Sequence, residues 1–184
     1  MNHKMNHIMM DIETLSTDSN GAILSIDAVL FSLQTGSLGK MFTVFIDIKE
    51  QVKEGAVLDR ETFNWWSRPE NVPTFDRLVA SKKLGVRDAL VSFNNWIKSL
   101  DIEVNNVKLW GNGSGFDNVL VRNLYKRSGI EFIIPFWCDN DVRTLVTIAN
   151  LDTRDFKFEG IKHNGVDDCK HQINYCHTAY KLLR

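Results

Sequence analysis

The sequence is poor in the residues that mark several classes of protein. Of its 184 residues only three are cysteine, an odd number, and no two form a Cys-x-x-Cys pair. Neither a disulfide framework nor a cysteine-based zinc site is therefore expected. No apolar run approaches the roughly 20 residues that a membrane-spanning helix requires. The N-terminal residues also lack the apolar core of a signal peptide. We expect a cytoplasmic protein with reduced thiols and no membrane partner.

Proline is also scarce, and its three residues do not cluster into an interdomain linker. No internal repeat or low-complexity tract interrupts the chain, whose length is ordinary for one domain. Hydrophobic residues make up 43% and charged residues 24%, which excludes a disordered or fibrous chain. We expect one domain over residues 1–184, in which residues 1–6 form a flexible N-terminal arm.

The first third of the sequence has the pattern of β-strands. Residues 8–12 are a short apolar run, and residues 22–33 are a longer one with Ser and Asp interleaved. Residues 38–48 alternate in part between apolar and polar side chains. Short turn segments separate the runs, so the pattern predicts an antiparallel meander of three strands.

The remaining elements are predicted mainly as helices. Asp59 is placed to N-cap a helix that ends before Pro69. Apolar residues then recur at helical spacing, interrupted by one buried strand. The predicted segments are helices at 86–100, 116–127 and 166–183 and a strand at 107–110. Strands followed by helices, with a strand between them, predict an α/β fold in which helices cover a mixed sheet.

Two carboxylates stand at the end of the first predicted strand. Residues i and i+2 of a strand point to the same face, so Asp11 and Glu13 project side by side. Carboxylates this close repel each other, and a divalent cation removes the repulsion while gaining oxygen ligands. The alternative is an ordinary solvent-exposed pair, as expected for the second copy of the pattern at Asp101 and Glu103.

A glycine-rich turn follows the strand predicted at 107–110 and leads into Asp117 at a helix start. Three glycines within five residues allow close backbone approach by a ligand or another segment. The turn is not a dinucleotide fingerprint, because Phe116 stands where the third glycine of GxGxxG is required. The alternative for Asp117 is an acidic residue that favours the helix dipole.

A third pattern lies at the opening of the last predicted helix. Asp168 is on the polar side of that helix, beside the core-facing Cys169. His163 stands five residues earlier, in a segment that can fold over the first helical turn. A lone His before a helix is more often a surface residue. A His five residues before an Asp at the start of a helix is a more specific pattern than a lone His.

Together the three elements resemble the DEDD superfamily of 3′-to-5′ exonucleases, which includes RNase T and the proofreading exonucleases. The shared order is Asp-x-Glu on the first strand, Phe-Asp at a helix start and His-x4-Asp near the C-terminal end. The His marks the DEDDh subtype. The resemblance implies an RNase H-like fold, with an antiparallel meander and parallel strands flanked by helices.

Further segments resemble a narrower branch that includes the exonuclease A of T-even phages and a mycobacterial 3′-5′ exoribonuclease. These segments are Thr62-Phe63-Asn64-Trp65-Trp66, Trp110-Gly111-Asn112-Gly113 and Phe136-Trp137-Cys138-Asp139-Asn140-Asp141-Val142-Arg143-Thr144. Core packing is the favoured interpretation for Trp65 and Trp66, although both cannot face one side of a helix. Asp141 and Arg143 are expected to form a structural pair.

The resemblance also implies the roles of individual residues. Two Mg²⁺ or Mn²⁺ ions would be held by the four carboxylates, and His163 would be the general base toward the attacking water. Thr14 and Leu15 would contact the terminal nucleotide, although Leu15 has packing on the fold as an equal alternative. The implied catalytic residues are Asp11, Glu13, Asp117, His163 and Asp168, and the implied metal ligands are the same set without His163.

The expected substrate is the 3′ end of single-stranded nucleic acid, with DNA favoured over RNA and a homodimer expected from the resemblance. An exoribonuclease of the same fold is the first alternative. A binding module that has lost catalysis is the second, and the presence of all five motif residues argues against it. A zinc site formed by His3 and His7 is a weaker possibility, since both lie near the expected arm.

The charge balance shows no basic surplus of the kind that nucleic-acid binding proteins usually carry. The chain has 22 Lys and Arg against 23 Asp and Glu, a net charge of −1. Neutralisation of four carboxylates by metal ions would change that charge to +3. Four basic residues cluster in sequence around His163 and Asp168, namely Arg154, Lys157, Lys162 and Lys170. A near-neutral composition is therefore compatible with a nucleic-acid partner.

Overall fold

The computed structural model describes residues 5–184. Residues 1–4, which include His3 of the zinc alternative and most of the expected arm, lie outside the described residues. Asn6 is held in place, because its side chain donates to the Asn106 carbonyl at 2.7 Å and its own carbonyl accepts from Lys108 N–H at 2.9 Å. His7 accepts a hydrogen bond on Nδ1 from the Trp110 indole at 2.9 Å, so this nitrogen already has a partner.

A mixed β-sheet forms the centre of the fold, with five strands in the described residues and the order β3-β2-β1-β4-β5. β1, β2 and β3 pair antiparallel, whereas β4 and β5 continue the sheet parallel to β1. The strands are β1 (His7–Thr14), β2 (Ile23–Phe31), β3 (Leu38–Phe45), β4 (Lys108–Gly111) and β5 (Asp139–Asp141). The predicted α/β fold with a meander and parallel strands is confirmed.

Seven α-helices surround the sheet within residues 5–184. They are α1 (Ile48–Lys53), α2 (Arg60–Trp66), α3 (Val72–Ala80), α4 (Val86–Lys98), α5 (Asp117–Arg127), α6 (Val142–Ile148) and α7 (Gly165–Leu182). The sequence predicted α2, α4, α5 and α7, and Asp59 caps α2 as expected by accepting from Glu61 and Thr62 N–H. None of the helices in this range is both long and apolar enough to cross a membrane.

Both faces of the sheet are covered, which explains why every residue of β2 is buried. Neighbouring residues of β1 point to opposite faces, so Met10 packs with the α4 and α5 side while Met9 packs with the α7 side. A third, smaller cluster joins Leu15 to Trp66 and to Leu78 of α3. This cluster fixes α2 and α3 against the end of β1, where the two motif carboxylates stand.

Five elements depart from the sequence prediction. The strand expected over 38–48 ends at Phe45, because Asp47 caps α1 by accepting from Lys49 and Glu50 N–H. α1, α3 and α6 are short helices that were not predicted. β5 was also missed, since its Asp-Asn-Asp sequence has no apolar period, and only its pairing with β4 makes it a strand.

Candidate active site

Three carboxylates meet where β1 ends beside α7. Asp11 and Glu13 share one face of β1, as predicted, and Asp168 reaches them from the first turn of α7. One oxygen from each of the three lies within 4.8 Å of the others. The second copy of the Asp-x-Glu pattern, at Asp101 and Glu103, is exposed, as expected. The Asp-x-Glu pattern therefore forms a cluster only at β1, where a helix supplies the third carboxylate.

Close packing of α7 on the sheet brings Asp168 to this position. The Cys169 thiol is buried and lies 3.6 Å from the Met9 carbonyl oxygen. Gly165, the first residue of α7, lies against Asp27 of β2, and a Cβ there would be 2.4 Å from an Asp27 carboxylate oxygen. Only glycine allows this approach, and a larger residue would push the helix start, with Asp168, away from β1.

Asp117 is the fourth motif carboxylate and lies at the start of α5, buried. A Cβ on Gly111 would lie 2.5 Å from the Asn118 side-chain oxygen and 3.2 Å from an Asp117 oxygen. The glycine-rich turn therefore lets α5 begin directly against the end of β4, as the sequence suggested. Asp117 is outside the group of three within 4.8 Å, but its charge contributes to raising the pKa of Asp11.

Burial and mutual repulsion dominate the electrostatics of these carboxylates. Burial raises the pKa of Asp117 to about 7, partly offset by hydrogen bonds from backbone N–H groups that include those of Ile12 and Asn112. Burial likewise raises the pKa of Asp168 to about 7. The pKa values of Asp11 and Glu13 are raised well above the ordinary range, first by burial and then by the neighbouring carboxylates. The carboxylates of the site therefore repel one another when ionised, and a bound cation would reduce that repulsion.

His163 stands at the rim of the carboxylate cluster and is partly buried. Its Nδ1 lies 3.9 Å from a Glu13 oxygen, too far for a hydrogen bond. Burial, and then the charge of Lys162, lower the pKa of His163, so the imidazole is neutral at pH 7 and the contact is not an ion pair. The Trp65 ring meets the imidazole edge-on, with ring centroids 4.8 Å apart.

The two tryptophans of α2 have different roles. Trp66 is buried, and its indole N–H donates to the Thr14 carbonyl at 2.9 Å, which confirms core packing for this residue. Trp65 is only partly buried and faces His163 and a cleft, so core packing describes it incompletely. The cleft has a volume of about 480 Å³ and is lined by Glu13, Thr14, Trp65, Phe116 and seven further residues in or next to β1 and α2.

The expected substrate contacts lie beside this cleft. Thr14 lines it, with its hydroxyl donating to the Ser16 carbonyl at 2.9 Å. Leu15 is only 4% exposed and packs with Trp66 and Leu78. Leu15 therefore lies behind the wall of the cleft, as in the alternative in which its side chain packs on the fold. Thr14 forms part of the wall itself.

The structural pair expected between Asp141 and Arg143 does not form. Asp141 instead caps α6, accepting from Thr144 N–H at 2.7 Å, and its other oxygen accepts from Ser114 N–H at 2.7 Å. Its carboxylate thereby ties the glycine-rich turn to α6. The Arg143 guanidinium lies against Gly113, and its charge lowers the pKa of Asp117. Arg143 thus acts on a site carboxylate rather than on Asp141.

Two of the four basic residues in the cluster expected from sequence are held in ion pairs. Arg154 forms an exposed ion pair with Asp152 at 2.6 Å, and Lys170 forms one with Asp167 at 2.9 Å. The charge of Lys162 adds to the effect of burial in lowering the pKa of His163, and it partly offsets the burial that raises the pKa of Asp168. Of the expected cations, Lys162 is therefore the one whose charge acts directly on the site.

Sequence reasoning missed two polar residues that complete the site. Gln172 is buried and donates from Nε2 to Asp11 at 2.8 Å. Asp27 is buried directly across from Asp11 in the β1–β2 pairing and accepts from Ser25 and Thr43 hydroxyls. Both left a signal, since Gln172 follows Asp168 by one helical turn and Asp27 interrupts an apolar run.

The donor set fits hard divalent cations. Among the described residues, Asp168 Oδ2 and Gln172 Oε1 are buried without a hydrogen-bond partner. Unpartnered buried oxygens are costly unless a cation or water satisfies them. Carboxylate oxygens are the ligands that Mg²⁺ and Mn²⁺ prefer. The geometry therefore suits cation binding by Asp11, Glu13 and Asp168, with Asp117 adjacent.

Comparison with solved structures gives the same architecture at low sequence identity. The nuclease domain of 3'hExo, a DEDDh family member bound to rAMP, matches with a TM-score of 0.63 and 14% identity, covering 95% of this chain and 91% of that one. Exonuclease I from Methylocaldum szegediense matches with a TM-score of 0.59 and 12% identity, covering 91% and 38%. E. coli ExoI in a complex with ssDNA matches with a TM-score of 0.56 and 14% identity, covering 96% and 40%.

A search of curated protein sequences gave no match. The chain has the RNase H-like fold of the DEDDh exonucleases, and it carries the motif residues Asp11, Glu13, Asp117, His163 and Asp168. Within that class, the model of the 3'-5' exoribonuclease Rv2179c-like domain matches residues 6–180. The chain belongs to this Rv2179c-like family.

Proposed function

We propose that this protein is a divalent-metal-dependent exonuclease that removes nucleoside 5′-monophosphates from the 3′ ends of single-stranded nucleic acid, with RNA preferred. One observation carries the proposal. Three carboxylates from β1 and α7 lie within 4.8 Å of one another in a largely buried site, and one Asp168 oxygen there lacks a hydrogen-bond partner among the described residues. That arrangement is unfavourable without a cation and well suited to one.

Asp11, Glu13, Asp117 and Asp168 are the proposed ligands for two Mg²⁺ or Mn²⁺ ions. When bound, such ions stabilise the charge of the phosphate in the transition state and of the leaving oxygen. Gln172 orients Asp11 through its hydrogen bond, and the N–H groups near Asp117 fix that carboxylate. The protein's own contribution is a rigid set of oxygens that needs little rearrangement on binding.

His163 is the proposed general base. A general base must be unprotonated at the working pH, and the lowered pKa of His163 keeps its imidazole neutral near pH 7. Its ring is held between the Glu13 carboxylate and the edge of Trp65. A ring nitrogen of His163 takes the proton from the water that attacks the terminal phosphodiester.

The cleft beside Glu13 is the proposed site of the terminal nucleotide. Trp65 and Phe116 provide aromatic surface for a base, and Glu13 and Thr14 line the same cleft. Leu15 contributes by supporting that wall, since its side chain is packed behind it. A cleft of about 480 Å³ is large enough for one nucleotide, which agrees with removal of one terminal residue at a time.

RNA is the proposed preferred substrate because the matching family is described as a 3'-5' exoribonuclease domain. Among the structural neighbours, one binds rAMP, another recognises a histone mRNA stem-loop, and E. coli ExoI binds ssDNA. DNA, which the phage-type resemblance favoured, is therefore the second candidate. Discrimination depends on contact with the 2′-OH, the group that distinguishes RNA from DNA.

Labelled oligonucleotides test this proposal. RNA and DNA 20-mers with 5′ or 3′ labels are incubated with the protein in Mg²⁺, in Mn²⁺ and in excess EDTA. We expect a 5′-labelled RNA ladder that shortens stepwise, loss of activity in EDTA and its return with metal. Asp11→Asn is the matched inactive control. Cleavage that persists in EDTA would refute metal dependence. Binding of the oligonucleotides without any cleavage would favour the alternative of a binding module that has lost catalysis.

Three further expectations stay predictions. They are a single domain over the whole chain, a homodimer and a cytoplasmic location. Sedimentation analysis of the purified protein would decide the oligomeric state, and limited proteolysis would decide the domain number.

A further inference from the structure

The segment that carries His163 has an unfavourable backbone conformation. His163 has φ of 60°, in the left-handed region that a non-glycine residue seldom adopts. Such a conformation persists only where surrounding contacts determine it. The contacts that hold this segment therefore also decide where the imidazole points.

Side chains from two helices hold the segment from opposite sides. Asp167 of α7 accepts from Ile161 N–H at 3.1 Å. On the other side, two residues of α3 donate to backbone carbonyls, with Thr74 Oγ1 at 3.4 Å from the Lys162 oxygen and Arg77 Nη2 at 3.3 Å from the His163 oxygen. α3 is itself fixed by Leu78, which is buried with Leu15 and Trp66 in the cluster at the end of β1.

Arg77 contacts the His163 carbonyl and also lies beside the buried Asp27 of β2. It lines a cavity of about 100 Å³ together with Asp27, Asn164 and Gly165. Burial raises the pKa of Asp27, which packs against the first residue of α7, and the positive charge of Arg77 partly offsets that rise. Arg77 thus lies beside a buried carboxylate and is hydrogen-bonded to the segment that carries His163.

We propose that Arg77 is a positioning residue, which fixes the His163 backbone so that the imidazole faces the Glu13 side of the carboxylate cluster. This rests on the proposed function, in which His163 is the general base. Arg77 donates to the carbonyl of His163 and leaves both ring nitrogens free, so it acts on the orientation of the base and on no reacting atom. Thr74 assists by holding the preceding carbonyl.

Steady-state kinetics on a single-stranded oligonucleotide test the proposal. Arg77→Gln removes the charge and should lower kcat by about 10- to 100-fold, within the range that a displaced catalytic group costs. KM and Mn²⁺ affinity should change by less than about threefold, because no proposed ligand or cleft residue is altered. Arg77→Lys restores a charged donor and should recover most of kcat. Arg87→Gln, an exposed arginine of α4, is the matched control and should keep the wild-type rate.

A double variant separates positioning from a general structural role. If Arg77 acts through His163, adding Arg77→Gln to His163→Ala should lower kcat no further than His163→Ala alone. A further 10-fold loss in that background, or a wild-type kcat for Arg77→Gln, would overturn the proposal. Thr74→Val, with an expected loss of about three- to tenfold, replaces Arg77→Gln in the same cycle if that variant fails to fold by circular dichroism.

The same measurements distinguish this inference from the proposed function. If the wild-type protein shows no metal-dependent hydrolysis, or if His163→Ala keeps the wild-type rate, the function assigned to His163 is wrong and Arg77 has no base to position. If His163→Ala loses activity while Arg77→Gln keeps it, the proposed function stands and only the role of Arg77 is overturned.

Discussion

Replacing Asp11 by asparagine should abolish hydrolysis and at the same time stabilise the metal-free protein. Asparagine has nearly the same shape, and its oxygen can still accept the hydrogen bond that Gln172 donates to Asp11 at 2.8 Å. The substitution therefore removes one negative charge and one metal ligand with little change in packing. The negative charge of Asp11, which the proposed metal binding requires, should therefore lower the stability of the metal-free protein.

The magnitude follows from the separation of the carboxylates. Two ionised carboxylates whose oxygens lie within 4.8 Å of each other repel by about 3 kcal/mol or more at an effective dielectric constant of about 20. Protonation limits this repulsion, because a carboxyl group takes up a proton instead of bearing the full energy. We therefore expect Asp11→Asn to raise the free energy of unfolding by about 1–3 kcal/mol at pH 8 in EDTA. For a protein of this size the melting temperature should rise by about 2–10 °C.

The effect should depend on pH in a defined direction. Burial raises the folded-state pKa of Asp117 and Asp168 to about 7, and the pKa values of Asp11 and Glu13 are also raised. Between pH of about 4, where unfolded carboxyls titrate, and pH of about 7, the folded state binds more protons than the unfolded state. The stability contribution of these groups is therefore present below pH 4 and is lost as pH rises. Wild-type and Asp11→Asn should melt alike near pH 4 and diverge toward pH 8.

Thermal melting with and without metal completes the experiment. Mg²⁺ or Mn²⁺ should raise the melting temperature of the wild type at pH 8 and raise that of Asp11→Asn much less, since a ligand has been lost. Asp101→Asn, which changes an exposed carboxylate away from the site, should leave both the melting temperature and the metal response unchanged. A variant that is less stable than the wild type at pH 8 in EDTA would refute the repulsion argument. Equal stabilisation of both proteins by metal would refute the ligand assignment.

Three further predictions concern other parts of the site. His163→Ala should lower kcat by about 10²- to 10⁴-fold, which is the usual contribution of a general base. Calorimetric titration should show that this variant largely retains Mn²⁺ binding, whereas complete loss of binding would make His163 a metal ligand. Gln172→Leu should weaken Mn²⁺ binding in the same titration, because Asp11 loses its hydrogen-bond donor; unchanged affinity would show that Asp11 needs no such support. Trp66→Phe should lower the free energy of unfolding by about 1–3 kcal/mol in urea titrations, since it leaves the Thr14 carbonyl buried without its indole donor; an unchanged midpoint would contradict a structural role for that bond.

The carboxylates of the site could be predicted from sequence because each has a local signal. Asp11 and Glu13 alternate on an apolar strand, Asp117 follows a glycine-rich turn, and Asp168 opens a periodic helix. The close approach at Gly111 and the buried face of α7 show why those signals have physical meaning. The amphipathic helices α4 and α7 were predictable for the same reason, since one face of each is buried in the core.

Contacts between distant segments left no comparable signal. The hydrogen bond from Arg77 to the His163 carbonyl joins residues 86 positions apart, and nothing in the local sequence of α3 indicates it. β5 is a strand only because the polar segment Asp139–Asp141 pairs with β4. The expected pairing of Asp141 with Arg143 was wrong because Asp141 is satisfied by backbone N–H groups of two other segments.

The position of α7 in the chain has a consequence for the timing of activity during synthesis. β1 with Asp11 and Glu13 leaves the ribosome before His163 and Asp168, which belong to α7 and the segment before it and follow all five described strands of the sheet. A nascent chain that has not yet released α7 lacks the proposed ligand Asp168, the proposed base His163 and the helix that packs on β1 and β2. Under the proposed function, hydrolysis can therefore begin only after this helix has docked on the sheet, so a chain that still lacks the helix is inactive.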